Sequence, residues 1–351
     1  MSLRCCAPTP SCSNSMPTSS SASLPSPPEF TVLVAGLGGI GLGYDLDRPP
    51  GDVFTHTRAF MADPGFRLVG GLDPSPARRE LFTGACGRPA WTSFEEASRH
   101  MGQVDVVVLA TPTILRLDVV RRCLELRPKI VLLEKPLAAS LAEGRQVTDL
   151  CRDHGVLLAV NYFRRFDPVL RDAVHTTQAG ALVQATCRYT GGLLQSASHY
   201  VDLFLYWHGM PLDARLLYDD GPCGQAGEDR RLGFLLEYPE ARIAFHPVQA
   251  PYGFGEMDLL FKEGRLRLED QGERVAVFRA GPDPLYPGYR RLLPERIDEA
   301  QALRYLCPVT QALYGCLSSG DSLPSTGDTA LQTLTVCDGL LHDAKNIARR
   351  P

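Results

Sequence analysis

The stretch FTVLVAGLGGIG, residues 30–41, leaves this chain few ways to fold. A β-branched, wholly apolar segment runs straight into Gly36, Gly38 and Gly41, and such a strand must be covered on both faces. The three glycines have the GxGxxG spacing of a phosphate-cradling turn: one for the tight bend, one for close approach of a pyrophosphate, one for helix–strand packing. A second strand, FRLVGGLD, ends in Asp73, where an acid can hydrogen-bond an adenosine ribose. The alternation continues with VDVVVLATP as a strand, then a helix, TILRLDVVRRCLELRP, with Ile114, Leu117, Val120 and Leu124 on one face. KIVLLE follows as a strand, then a helix with a Ser140–Glu143 capping box and Gly155 suited to its C-terminal cap, then the strand VLLAVNYF. Apolar strands alternating with helices imply an α/β, doubly wound parallel sheet that binds ligands beyond the carboxyl ends of its strands. Asp73, Thr111, Lys135 and the glycine loop all occupy such ends.

LGYDLDRPPGDVF departs from that scheme. Pro49 and Pro50 stop a helix there, and Asp73 falls 37 residues after Gly36, so residues 42–54 read as an inserted loop near the phosphate turn. It either touches substrate or caps the sheet edge. Beyond about residue 165 the pattern becomes polar–apolar alternation, as in ALVQATCRYT and ARIAFHPV, interrupted by the helical pieces SHYVDLFLYWHG and DTALQTLTVCDGLLHDAKN. A second, α+β domain with an open, mainly antiparallel sheet is expected. The divisions are a disordered Ser/Pro-rich tail at 1–29, dispensable for folding, a nucleotide-binding domain at 30–160 and a second domain at 161–351.

A net charge of −4 without a basic run argues against nucleic acid and anionic membrane as partners. No apolar run approaches the roughly 20 residues a bilayer span needs. Eleven cysteines are present, but those outside the tail are scattered without a CxxC pair. That pattern implies neither a zinc site nor a disulfide framework. CRDH, Cys151–His154, has no second ligand pair, so no metal is expected. The scattered cysteines point to a reducing, cytoplasmic setting; the tail lacks a secretory signal's apolar run, though its serine-rich, acid-poor composition would also suit an organellar transit peptide.

Lysine is scarce: Lys129, Lys135, Lys262 and Lys345 are all there are. One of them stands in VLLEKPLA, at the mouth of a buried strand, a place that suits a working amine. VAGLGGIG, LATPT, LLEKPLA, NYFRRFDP, SHYVDLFLYWHG and GDTALQTLTVCDGL, in this order, resemble the glucose–fructose oxidoreductase/inositol dehydrogenase (Gfo/Idh/MocA) superfamily. The resemblance implies a nicotinamide-binding Rossmann domain, a substrate domain, and a homodimer or homotetramer built through the second sheet.

By the same resemblance Lys135 and His199 are the catalytic pair, one hydroxyl meeting a hydrogen-bond donor and a general base while hydride leaves carbon. Gly36, Gly38, Gly39, Ile40, Gly41, Asp73, Thr111, Pro112, Glu134 and Lys135 are expected against the cofactor, and Lys135, Arg165, Gln195 and His199 against the substrate. NAD is expected rather than NADP, since Asp73 repels a 2′-phosphate, with Arg78 and Arg79 nearby arguing the other way. The family's aspartate four residues before the histidine is here Gln195, which cannot stabilise an imidazolium. Asp202, one turn after His199, is a substitute or a domain-contact acid; Arg165 holds substrate or pairs with a neighbouring acid. The expected activity is NAD(P)-dependent oxidation of a secondary alcohol on a sugar or polyol. The alternatives are a redox-silent dinucleotide-binding regulator and an NAD-dependent glycosidase.

Overall fold

The computed structural model describes residues 29–176, 179–224 and 229–347. Apart from Glu29, the tail lies outside the described residues. In the first domain β1 (Phe30–Ala35), β2 (Phe66–Leu72), β3 (Ala90–Trp91), β4 (Val106–Leu109), β5 (Ile130–Leu133) and β6 (Leu157–Val160) form one sheet. Their order is β3-β2-β1-β4-β5-β6 and every neighbouring pair is parallel. Helices α1 (His56–Ala62), α2 (Pro76–Cys86), α3 (Phe94–His100), α4 (Arg116–Cys123) and α5 (Leu141–Asp153) connect the strands. β4 and β5 are wholly buried, as strands sandwiched between helical layers must be. Chain order reverses between β1 and β4, which opens a crevice at their carboxyl ends.

The Ser140 hydroxyl caps α5 by accepting from Glu143 N–H, and the Glu143 carboxylate reaches back past the cap residue to accept from Ala139 N–H. Gly155 closes that helix with a φ of 67°. One helix differs from its apolar spacing. Thr113–Leu115 is a 3-10 turn after Pro112, so α4 starts only at Arg116; Ile114 is exposed and Val120 and Leu124 are the buried face. The 42–54 segment is an irregular loop tied down by one buried carboxylate, Asp45, which accepts from Phe54 N–H, Thr55 N–H and the Thr55 hydroxyl.

The second sheet contains β7 (Leu182–Tyr189), β8 (Asp213–Cys223), β9 (Asp229–Glu237), β10 (Arg242–Pro247), β11 (Gly255–Phe261), β12 (Gly264–Glu269), β13 (Arg274–Pro282) and β14 (Arg290–Glu299). Its order is β14-β13-β12-β11-β7-β10-β9-β8, antiparallel except where β7 meets β10. Between the domains come α6 (Pro168–Thr176), a π-helical turn at Leu193–Ala197 and α7 (Ser198–His208). Ala185, Cys187 and Tyr189 of β7 face a core with Val201, Phe204 and Leu205 of α7. The opposite face carries cross-strand ion pairs such as Arg188–Glu256 and Arg265–Asp258.

The chain then returns to the first domain. Leu306, Val309 and Leu313, from the segment that forms α8 (Cys307–Ser319), pack beneath β1 and β4. α9 (Gly327–Ile347) serves both cores, with Ala330 and Leu334 in the first and Cys337, Leu340 and Ala344 in the second. A boundary at residue 160 does not include this crossing. Among the described residues no helix is long and apolar enough to cross a membrane.

Candidate active site

The buried strand β5 ends at Leu133, and the chain turns through Glu134, Lys135 and a cis Lys135–Pro136 peptide. The turn is gripped from below by Arg116, a fully buried arginine whose Nη2 donates to the Glu134 carbonyl at 2.8 Å and the Pro136 carbonyl at 3.3 Å, and whose Nη1 donates to Leu109 O at 3.3 Å. Burial lowers the Arg116 guanidinium to about 10, against the pull of Glu134 and Glu143. Glu134 is a shared acceptor: its Oε1 lies 2.7 Å from both His56 Nε2 and Asn161 Nδ2. Burial lifts its carboxyl, but the His56 bond and charge, the Asn161 bond and Lys135 outweigh it and hold the group below its ordinary value. Glu134 therefore stands ionised beside Lys135.

Lys135 Nζ reaches across to the second domain and donates to the Gln195 carbonyl at 2.6 Å. Gln195 lies in the π-helical turn, and His199 follows on the first turn of α7. The His199 ring rests edge-on to Tyr162 at 5.7 Å and against Phe163 at 5.2 Å, and its Nδ1 has no partner among the described residues. Burial, Lys135 and Arg164 hold the imidazole well below its ordinary value, so it is neutral. Burial lowers the Lys135 amine too, with Arg164 adding to the effect and Glu134 and Asp229 opposing it. A neutral histidine and a lysine whose ammonium form burial disfavours thus come from two domains into one electrostatic neighbourhood.

Arg165 is not among the groups facing that cleft. It is 2% exposed, and its Nε donates to Asp202 Oδ2 at 2.6 Å while Nη2 donates to the Asp202 carbonyl at 2.9 Å. Asp202 also accepts from the Thr333 hydroxyl at 2.9 Å. The same pair removes Asp202 as a partner for His199, since closing the chain brings it the guanidinium first. Gln195 is exposed and contributes its main chain: the carbonyl to Lys135, the N–H to Asp229 Oδ2 at 2.8 Å. The cationic neighbour is instead Arg164, held between the rings of Phe163 and Tyr200 at 4.7 and 4.8 Å, with Nη2 donating to Gln271 O.

Of the residues expected at a cofactor, all but Gly39 and Gly41 share one cleft of about 670 Å³, within the usual range for small-molecule sites. Gly36, Gly38, Ile40, Asp73, Thr111, Pro112, Glu134 and Lys135 all line it. Gly36 has a φ of 93°, and a Cβ there would lie 2.5 Å from the Ala110 carbonyl; a Cβ on Gly41 would lie 1.9 Å from the Gly36 carbonyl. At Gly38 the nearest atom is the tip of Arg78, 3.7 Å away, so that glycine faces open space. The loop's carbonyls serve the N–H groups of Leu42, Gly43, Tyr44, His56 and Thr57, while those of Gly38, Gly39 and Ile40 donate to no main-chain acceptor among the described residues. Free N–H groups and a glycine with space above it fit a diphosphate. The Thr111 hydroxyl, buried without a partner, adds another polar group on the same wall. Asp73 is nearly buried: Oδ2 accepts from Leu37 N–H at 2.9 Å, Oδ1 from Ser75 N–H at 2.9 Å, and Arg78 Nη1 stands 3.5 Å from Oδ2.

His56, Arg116, Arg164 and Asp229 are site residues that the sequence reading did not find. A histidine opening the first helix after a glycine loop, and an arginine just past a strand-end Thr-Pro, were the available signals for the first two. Asp229 and Arg164 carried none, because their partners lie in other elements.

A family model described as an oxidoreductase family with an NAD-binding Rossmann fold matches residues 30–162. Among curated proteins, scyllo-inositol 2-dehydrogenase (NAD(+)) of Bacillus subtilis is 31% identical over 119 residues, 34% of each chain. The rhizopine catabolism protein MocA of Rhizobium meliloti is 35% identical over 129 residues, 36% of this chain and 39% of its own. These matches span little more than a third of the relatives' lengths. Solved structures resemble the chain in fold along most of its length. UDP-N-acetylglucosamine 3-dehydrogenase GnnA of Acidithiobacillus ferrooxidans gives a TM-score of 0.72 at 15% identity, covering 92% of this chain and 99% of that one. An Agrobacterium radiobacter oxidoreductase in complex with NAD+, L-tartaric acid and magnesium gives 0.67 at 16% identity, covering 90% and 96%. With its parallel six-stranded sheet and its glycine turn, the domain at residues 30–162 matches the Gfo/Idh/MocA oxidoreductase family's NAD-binding Rossmann fold.

Proposed function

We propose that this protein is an NAD-dependent dehydrogenase acting on a secondary alcohol of a sugar or polyol. One observation carries the reading: the amine of Lys135 is docked on the carbonyl of Gln195, four residues before His199, at the edge of the cleft that holds the glycine turn. The cofactor, when bound, supplies the hydride acceptor. Gly36, Gly38 and Gly41 shape the turn for its diphosphate, Asp73 meets the adenosine ribose, and Thr111 and Glu134 line the wall. Lys135, with its lowered proton affinity, takes the hydroxyl proton as hydride leaves carbon, and neutral His199 hydrogen-bonds the same oxygen. Glu134 holds the charge that Lys135 gains. A cytoplasmic homodimer or homotetramer is part of the same reading.

The test is spectrophotometric: the protein with NAD and a panel of inositols, aldoses, sugar acids and nucleotide sugars. Net NADH formation with at least one of them supports the assignment. Dinucleotide binding without net turnover favours the second reading, a redox-silent binding protein or glycosidase, which Gln195 in place of a carboxylate keeps in view. Calorimetric titration with both dinucleotides decides the cofactor. Tighter NAD binding is expected, because a 2′-phosphate would approach the Asp73 carboxylate; tighter NADP binding would mean that Arg78 governs the site instead.

A further inference from the structure

Asp229 opens β9 and is 1% exposed, yet the N–H groups it serves belong largely to the π-helical turn before α7. Leu194 N–H donates to Oδ1 at 3.0 Å and Gln195 N–H to Oδ2 at 2.8 Å, with Arg230 N–H adding a bond to Oδ1 at 2.8 Å. Gly192 makes room for this carboxylate, because a Cβ there would lie 2.1 Å from Oδ2. The carbonyl of that same Gln195 receives Lys135 Nζ. Hydrogen bonds to an ionised acceptor are about twice as strong as neutral ones, so the turn is held more firmly than water could hold it. π-Helical turns are rare and often mark functional sites.

We propose that Asp229 is a positioning residue for Lys135: through the turn it fixes the carbonyl on which the amine rests, and it sets a carboxylate near that amine. The inference rests on Lys135 being the working amine of the proposed dehydrogenase. Four charged or titratable groups surround Lys135: Glu134 from its own strand end, Arg164 from the Phe163–Arg165 turn, His199 from α7 and Asp229 from β9. Glu134 is committed to His56 and Asn161, and Arg164 disfavours the ammonium form. Asp229 is thus the acid by which the second domain counters burial of the amine. A purely structural cap of the turn would leave the amine's chemistry unchanged when the carboxylate is lost.

Competitive acetylation of the four lysines, read residue by residue in the full chain by mass spectrometry across neutral to alkaline pH, separates the two roles. Lys129, Lys262 and Lys345 serve as internal standards. In Asp229→Asn the Lys135 amine loses both its firm acceptor and the charge, so its labelling at neutral pH should rise about tenfold, the equivalent of about one pKa unit. Gly192→Ala, which pushes the carboxylate aside without removing it, should raise labelling in the same direction by less, and it carries the test if Asp229→Asn does not fold. Lys135 labelling that stays within about twofold of wild type in a folded variant would overturn the proposal. Labelling requires neither cofactor nor turnover, so its result stands whether or not the protein proves to be a dehydrogenase. If it does, Asp229→Asn should lower kcat with little change in KM and move the pH profile toward acid.

Discussion

Lys135 and His199 can be separated from their surroundings by what each loses on replacement. On the proposed mechanism Lys135→Met removes an interaction made chiefly in the transition state, so hydride transfer in a single turnover should fall by roughly 10² or more while NAD affinity and folding persist. His199→Ala should do likewise, and the double variant should lose far less than the product of the two, because the proposed mechanism has both groups serve one oxygen. Wild-type transfer in Lys135→Met would reduce the lysine to a tether between domains. Arg165 illustrates the opposite case, a charge that does no chemistry. Asp202→Asn leaves its guanidinium buried without a carboxylate, which should cost about 3–5 kcal/mol by urea denaturation. A loss under about 1 kcal/mol would mean that water reaches the pair.

Among the elements, the glycine turn makes the clearest division between folding and binding. Gly36→Ala meets both a left-handed φ and the Ala110 carbonyl, so it should destabilise the protein by about 1–3 kcal/mol and abolish dinucleotide binding together. Gly38→Ala faces open space in the protein, so its melting temperature should hardly move while NAD binding weakens about tenfold or more, some 1.4 kcal/mol. Equal NAD affinity in Gly38→Ala would show that the diphosphate does not approach this turn. The elements that escaped sequence reading are informative too. β8 and β14 are the two edge strands of the second sheet, each with register shifts in its pairing, and β14 carries Pro294 opposite Phe278. Edge strands have one partner and need no apolar face on the outer side, so their residues lack a clean period.

For the molecule as a whole, acid stability should be set partly by buried neutral histidines. Burial, with His175 nearby, lowers His208 to about 4, below the ordinary value near 6.5. The unfolded chain therefore binds a proton that the folded one refuses, so the stability this histidine contributes is present above about 6.5 and is lost as pH falls toward 4. His199 acts in the same direction. His208→Gln should flatten the decline in unfolding free energy through that window by roughly 1 kcal/mol, after allowance for its partial exposure. An unchanged pH–stability curve would mean that the ring is solvated in the folded state.

Sequence alone determined the layered α/β half, the place of the glycine turn at a strand end, and the position of Lys135 beyond β5. Each of these rests on local order: strand apolarity, helical period and the few residues able to make a given turn. It also carried the change to an open antiparallel sheet, through the alternation along β7, β9 and β10. What it left open were the partners of charged groups. Arg165 and Asp202 stand 37 residues apart, His56 and Glu134 78, Gln195 and Asp229 34. A buried charge takes whichever complementary group chain closure brings within about 3 Å, and the energy of that choice depends on burial and on competing donors, neither of which is written in spacing. The tertiary structure therefore decided that Arg165 is structural, that Asp202 is spent on it, and that an acid from β9 holds the main chain at Gln195.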